Sequence, residues 1–101
     1  MKKVINGKLY DTETAVLIGE YSSGYSSNDF NSYNEALYLS PKGTYFLAGE
    51  GGPMTSYAQS VADYIVSGSD IIPLTREEAR EWAEGHLLAD EVIEHFDIQE
   101  G

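Results

Sequence analysis

The stretch Phe46–Thr55, FLAGEGGPMT, places one carboxylate, Glu50, among Gly49, Gly51, Gly52 and Pro53. Amides freed by glycine ahead of a helix start make an anion site, and a fixed carboxylate can act as general acid or base. The spacing, however, matches neither the dinucleotide fingerprint nor a phosphate loop, which needs a Lys-Ser/Thr pair. Glu50 also puts a negative charge where an anion would sit, and glycine neighbours hold a catalytic group poorly. The stretch therefore reads as a structural corner: strand to Leu47, glycines for the turn, Pro53 and Thr55 opening a helix. Glu50 is then an exposed carboxylate at a loop tip, available to a partner. The alternatives are a small-ligand site for a nucleotide signal beside the corner, and a hydrolase pairing Glu50 with a histidine.

A second pattern lies near the C-terminus. His86, Asp90 and Glu94 are spaced at i, i+4 and i+8, and Glu91 and His95 at i, i+4. Such spacing aligns donors for a divalent cation on one helix face. Asp90 reads as the start of a new helix, which breaks that register, and no HExxH motif exists. No nucleophile elbow or Ser-x-x-Lys motif marks a catalytic serine, and no cysteine is present to supply a thiol. The expectation is a protein without catalytic residues, metal or cofactor.

Charge is the more informative feature. Seventeen acids against six bases give a net charge of −11 over 101 residues. Such a chain lacks the basic footprint that displaces counterions from nucleic acid; its field favours basic partners instead. From Arg76 to Gly101 nine acids meet two bases, so −7 of the −11 falls in the last quarter of the chain. Glu77, Glu78, Glu81 and Glu84, then Asp90, Glu91 and Glu94, are expected to line the exposed side of two short helices. A one-signed row of carboxylates on a rigid scaffold can stand in for DNA phosphates in a basic groove; otherwise it is a solvated helix face.

The elements that would carry these residues follow from turn and cap chemistry. Val4–Tyr10 reads as a hairpin about Asn6-Gly7. Asp11 or Thr12 can cap a short helical segment over Ala15–Ile18, or that run is a strand. Residues 22–34 read as a loop pinned by Tyr25, Phe30 and Tyr33. Residues 36–40 and 44–48 form a second hairpin about Pro41-Lys42-Gly43. Ala58, Val61, Ala62 and Ile65 recur at helical spacing, with Thr55 or Ser56 as cap and Gly68 as stop. Asp70–Leu74 suits an edge strand, because Pro73 cannot donate to a central ladder. Thr75-Arg76-Glu77-Glu78 is a capping box, opening a helix with Ala79, Trp82, Ala83, His86 and Leu87 on its apolar stripe. Asp90 is expected to cap a last helix burying Val92, Ile93 and Phe96. The chain reads as one α+β domain, 1–101, with a small antiparallel sheet from two hairpins packed against C-terminal helices.

The stretches LYLSPKGTYFLAGEGGPMTSYA and IIPLTREEAREWAEGHL, with the opening VINGKLYDTETA, resemble a family of short acidic proteins carried by bacterial phages and mobile elements. The resemblance implies a protein that binds and blocks a host-defence enzyme, as anti-CRISPR proteins do, and it carries no catalytic residue with it. The expected partner is a basic nucleic-acid-binding protein such as a Cas effector, with no direct contact to nucleic acid or membrane. No apolar run follows Lys2 and Lys3, so the start does not read as a secretion signal, and a cytoplasmic location in the host cell is expected.

Overall fold

Asn6 and Gly7 take left-handed backbone, φ 52° and 76°, as a two-residue hairpin turn of the primed type requires. They join β1 (Lys2–Ile5) to β2 (Lys8–Asp11). The computed structural model describes residues 1–24, 26 and 29–101. Tyr25, one of the three rings expected to pin the 22–34 loop, thus lies outside the described residues. Of the other two, Phe30 is exposed and Tyr33 already belongs to a strand, so backbone bonds such as Met54 N–H to the Phe30 carbonyl, at 2.9 Å, tie this loop instead.

Asp11 caps a single turn rather than a helix. Its carboxylate accepts from the Glu13 amide at 2.9 Å and its carbonyl from the Ala15 amide at 3.1 Å. The apolar run after it is β3 (Val16–Ser22). A four-stranded antiparallel sheet follows, in the order β3, β4 (Tyr33–Leu39), β5 (Tyr45–Gly51), β8 (Gly68–Leu74). Gly43, at φ 89°, closes the β4–β5 turn, and Pro73 sits on the outermost strand, where a missing N–H costs no ladder bond. Ile18 is an extra residue in β3: Leu17 pairs with Tyr38 and Gly19 with Leu37. The bulge turns Ile18 inward, where it is buried.

The sheet is covered on both faces. On one, Ile18, Leu37 and Leu47 pack against Ala79 and Ala83 of α1 (Arg76–His86), Val92 of α2 (Ala89–His95) and Phe96, which caps the end of α2. On the other, Phe46 and Ile71 pack against Tyr10 of the N-terminal hairpin, which forms its own two-stranded layer. The fold is α+β. The Thr75 capping box is complete, with Glu78 N–H to Thr75 Oγ1 at 3.1 Å and Thr75 N–H to Glu78 Oε1 at 2.9 Å. The second helix starts differently from the expectation. Leu88 is its cap, its amide donating to Glu91 Oε1 at 3.2 Å, and Asp90 stands inside the first turn. Val92 and Phe96 are buried, but Ile93 faces solvent.

The expected helix over 58–65 is instead a hairpin, β6 (Gln59–Val61) and β7 (Tyr64–Val66), turning at Ala62 with φ 53°. An amphipathic helix gains its stability from a face it can bury, and this segment buries none: Val61, Tyr64 and Ile65 are all exposed. What fixes its base is Tyr57, buried at 5% exposure. Its ring lies on Gly49, and its carbonyl lies where a Gly68 side chain would begin, 2.1 Å from an ideal Cβ. The glycines of FLAGEGG are therefore not a corner. Strand β5 runs on through Gly51, paired with β4 and β8 on both sides, and Gly49 is the notch that admits Tyr57.

A Cβ on Gly49 would stand 2.1 Å from the Tyr57 ring. Gly49→Ala is expected to cost about 2–3 kcal/mol in urea unfolding, as overpacking of a tight site does. Gly85→Ala, in α1 with nothing within 4 Å of the new methyl, should instead stabilise by about 0.5–1 kcal/mol. Equal effects at the two sites would refute the notch.

Candidate functional site

Strand alternation decides which carboxylates share a side. In β4, Tyr33, Glu35, Leu37 and Leu39 alternate with Asn34, Ala36 and Tyr38. Leu37 and Leu39 belong to the helix-side core and Tyr38 to the hairpin-side core. Glu35 therefore points to the helix side, in a row that pairs Tyr21, Glu35, Gly49 and Asp70 across the four strands. The Tyr57 ring lies over the Gly49 position of that row. Its hydroxyl donates to Glu35 Oε2 at 2.5 Å, and the Trp82 indole N–H donates to Glu35 Oε1 at 3.0 Å. One part-buried carboxylate thus joins the central sheet, the 52–58 loop and α1.

Aromatic rings extend the cluster. His86 stacks on Trp82 with centroids 4.7 Å apart and meets the edge of Tyr21 at 4.7 Å; Tyr21 lies 6.0 Å from Tyr33. His86 Nδ1 is 2.7 Å from the Trp82 carbonyl oxygen, which only accepts, so Nδ1 carries the proton. Burial, then the hydrogen bond to Glu35 and its negative charge, push the Tyr57 phenol well above its ordinary value of 10.0. At the end of the row, the Lys3 ammonium bonds Asp70 Oδ1 at 2.6 Å and holds that carboxyl below its usual range. Beside Glu35 a cleft of about 440 Å³ opens, walled by Asn31, Tyr33, Met54, Thr55 and Ser56.

The sequence-predicted carboxylates fall into three groups. Glu78 and Glu91 are engaged by their own helix starts, and Glu84 lies 3.7 Å from Arg80 in an i, i+4 pair. Glu77, Glu81, Asp90 and Glu94 are exposed on the two helices, and none is in an ion pair among the described residues. Glu50 stands apart from both groups. It is exposed within β5, not at a loop tip, and shares its parity with Phe46 and Ala48, so it faces the hairpin side of the sheet. The structure does not bring it to the helical acids, nor to His86.

The glycine stretch offers no open amide cradle. Gly49 and Gly51 lie in a strand paired on both sides, and the Gly52 amide is spent on the Ser32 carbonyl at 2.9 Å. Among the described residues no three His, Asp or Glu side chains are placed to hold a metal, and no helix is long and apolar enough to cross a membrane. Sequence reasoning missed Glu35. Its signal was the alternation of YNEALYL, which puts an acid on the same face as Leu37 and Leu39.

No protein-family model matches the chain, and no curated protein or solved structure matches it. Tyr57→Phe removes one of two donors to a part-buried charge, with an expected cost of about 2 kcal/mol near neutral pH. Because the folded state raises the Tyr57 pKa, its contribution is whole below pH 10.0 and is lost as pH rises above it. The gap between wild type and Tyr57→Phe in urea unfolding should therefore hold steady up to pH 10.0 and narrow progressively above it. A gap independent of pH would exclude the Tyr57–Glu35 bond as its source.

Proposed function

We propose that the protein works by stoichiometric binding rather than turnover. Its partner is a basic, nucleic-acid-handling enzyme of host defence, which it blocks in the manner of an anti-CRISPR protein. The observation that carries this reading is the unneutralised acid on rigid helices. Glu77 and Glu81 lie one turn apart on α1, Asp90 and Glu94 one turn apart on α2, all exposed and without an ion pair among the described residues. Both helices are pinned to the sheet by buried side chains, Ala79 and Ala83 from one and Val92 from the other. The carboxylates thus sit on fixed backbone, which spares a partner much of the ordering cost. A basic groove that accepts DNA phosphates would accept this surface by the same electrostatics.

The reading predicts that the protein prevents DNA loading by a CRISPR effector complex in a gel-shift assay, and that the block weakens as salt rises, because charges at a solvated surface are screened. The triple reversal Glu77→Lys, Glu81→Lys, Glu94→Lys should reduce the block at least tenfold (about 1.4 kcal/mol) while leaving the circular dichroism spectrum intact. A folded triple variant that blocks as well as wild type would eliminate the helical acids as the binding surface. A titration with nucleotides should give no heat.

A further inference from the structure

We propose that the cleft over Glu35 is a guanidinium-binding site, which accepts an arginine side chain of the protein's partner. Glu35 accepts two hydrogen bonds, from the Tyr57 hydroxyl and the Trp82 indole. Both donors are neutral, and no Lys, Arg or His lies within ion-pair distance of Glu35 among the described residues. This part-buried carboxyl group therefore has hydrogen-bond donors but no counterion beside it. Ionised carboxylate oxygens offer about four acceptor sites between them, so about two remain after Tyr57 and Trp82 are served. Glu35 also forms part of the cleft wall. A ligand in the cleft would therefore meet the same residue whose carboxylate has acceptor sites to spare.

The packing does not itself demand a charge there. A glutamine of the same shape would offer its carbonyl to one donor and could donate its amide to the Tyr57 oxygen, without the cost of desolvating an ion. A bound cation would offset that cost. The surroundings select the kind of cation. Among the described residues the cleft holds no second carboxylate or imidazole to complete a metal's ligand set, so a polyatomic cation fits better than a metal ion. Tyr33 forms one wall, and Tyr57 and Trp82 flank the carboxylate itself. Aromatic faces attract cations, and arginine more often than lysine. The guanidinium is planar and weakly hydrated, and its forked donors match a carboxylate, whereas an ammonium is a compact, strongly hydrated point charge. The Met54 thioether at the rim is a soft surface for an alkyl stem.

Position relates this cleft to the acidic helices. Glu35 lies on the helix side of the sheet, and α1, which supplies Trp82, also carries Glu77 and Glu81 on its exposed side. A partner seated on α1 can thus extend an arginine toward the cleft. In assigning the arginine to that partner the proposal rests on the function proposed above; the guanidinium site itself does not.

Trp82 is the chain's one tryptophan, so its fluorescence reports on Glu35 directly. The experiment titrates the intact protein with Nα-acetyl-arginine amide at constant ionic strength. Nα-acetyl-citrulline amide, the neutral isostere, serves as control. The expected result is a saturable change with a dissociation constant on the order of 1 mM for the arginine probe, and affinity about tenfold lower for citrulline and for Glu35→Gln. Equal responses to arginine and citrulline in the wild type would overturn the site. If Glu35→Gln does not fold, Met54→Lys takes its place: it sets a competing cation at the rim from an exposed position and should weaken the arginine probe while leaving the melting temperature unchanged. A folded Met54→Lys that binds the probe as wild type does would equally overturn it. The two proposals fail separately. Wild type that blocks DNA loading yet ignores the probe removes the guanidinium site and leaves the helical surface standing; wild type that binds the probe yet never blocks loading retains the site and removes the defence enzyme as its partner.

Discussion

The structure depends on one ring in one notch. Tyr57 rests on Gly49, and its hydroxyl meets Glu35, whose other oxygen holds the indole of Trp82. Three segments distant in sequence meet there: β4, the loop after β5, and α1. Each contact also supplies what the next requires. The glycine gives the ring room against the sheet; the ring brings a second donor, beside Trp82, to a part-buried carboxylate; the carboxylate ties the indole, and with it α1, to the sheet. Burying a carboxylate among apolar groups is unfavourable unless its lone pairs are served. Removing Tyr57 or Trp82 therefore undoes more than one hydrogen bond.

The same notch explains how the sheet is completed. Strands β3, β4 and β5 follow one another, but β8 pairs with β5 only after the chain has left at Gly51 and returned at Gly68. Closing such an excursion costs conformational entropy that grows slowly with length. Tyr57 divides it: with its ring on Gly49 and its carbonyl against Gly68, only residues 58–67 remain to be closed, and β6 and β7 pair with each other across most of them. That arm can stay exposed because it has no share in the core. Its position is set at its base.

This is also where the sequence was least legible. Elements fixed by local chemistry were readable from it: the Asn6-Gly7 and Pro41–Gly43 hairpins, the Thr75 capping box, Pro73 on an edge strand. In each, a few neighbouring residues settle the backbone. Ala58, Val61, Ala62 and Ile65 carry a helical period with no surface to bury it against, and periodicity does not reveal whether a surface exists. Gly49 and Gly51 looked like a turn because a glycine that makes room for a distant side chain is indistinguishable, locally, from one that bends the chain. The helical carboxylates were legible as a charge excess, since exposed acids need no partner to be noticed. Glu35 was hidden for the opposite reason: its meaning lies in Tyr57 and Trp82, 22 and 47 residues away.

Sorting charge by sheet face gives the molecule an electrical direction that composition does not. Lys2, Lys3 and Lys8, half of the six cations, lie in the N-terminal hairpin, and that hairpin packs through Tyr10 and Ile5 on one face of the sheet. The helices lie on the other, with nine acids against two arginines from Arg76 onward. Of these three lysines, among the described residues only Lys3 is in an ion pair, with Asp70 at the β8 edge. Net charge sets whether a basic partner is attracted, but its separation across the sheet sets which side is presented first. A basic surface would be drawn most strongly to the helix side, where the acids are densest. Glu35 stands on that same side of the sheet, so under the proposed function steering by the exposed acids and recognition at the part-buried one would act in sequence on one face.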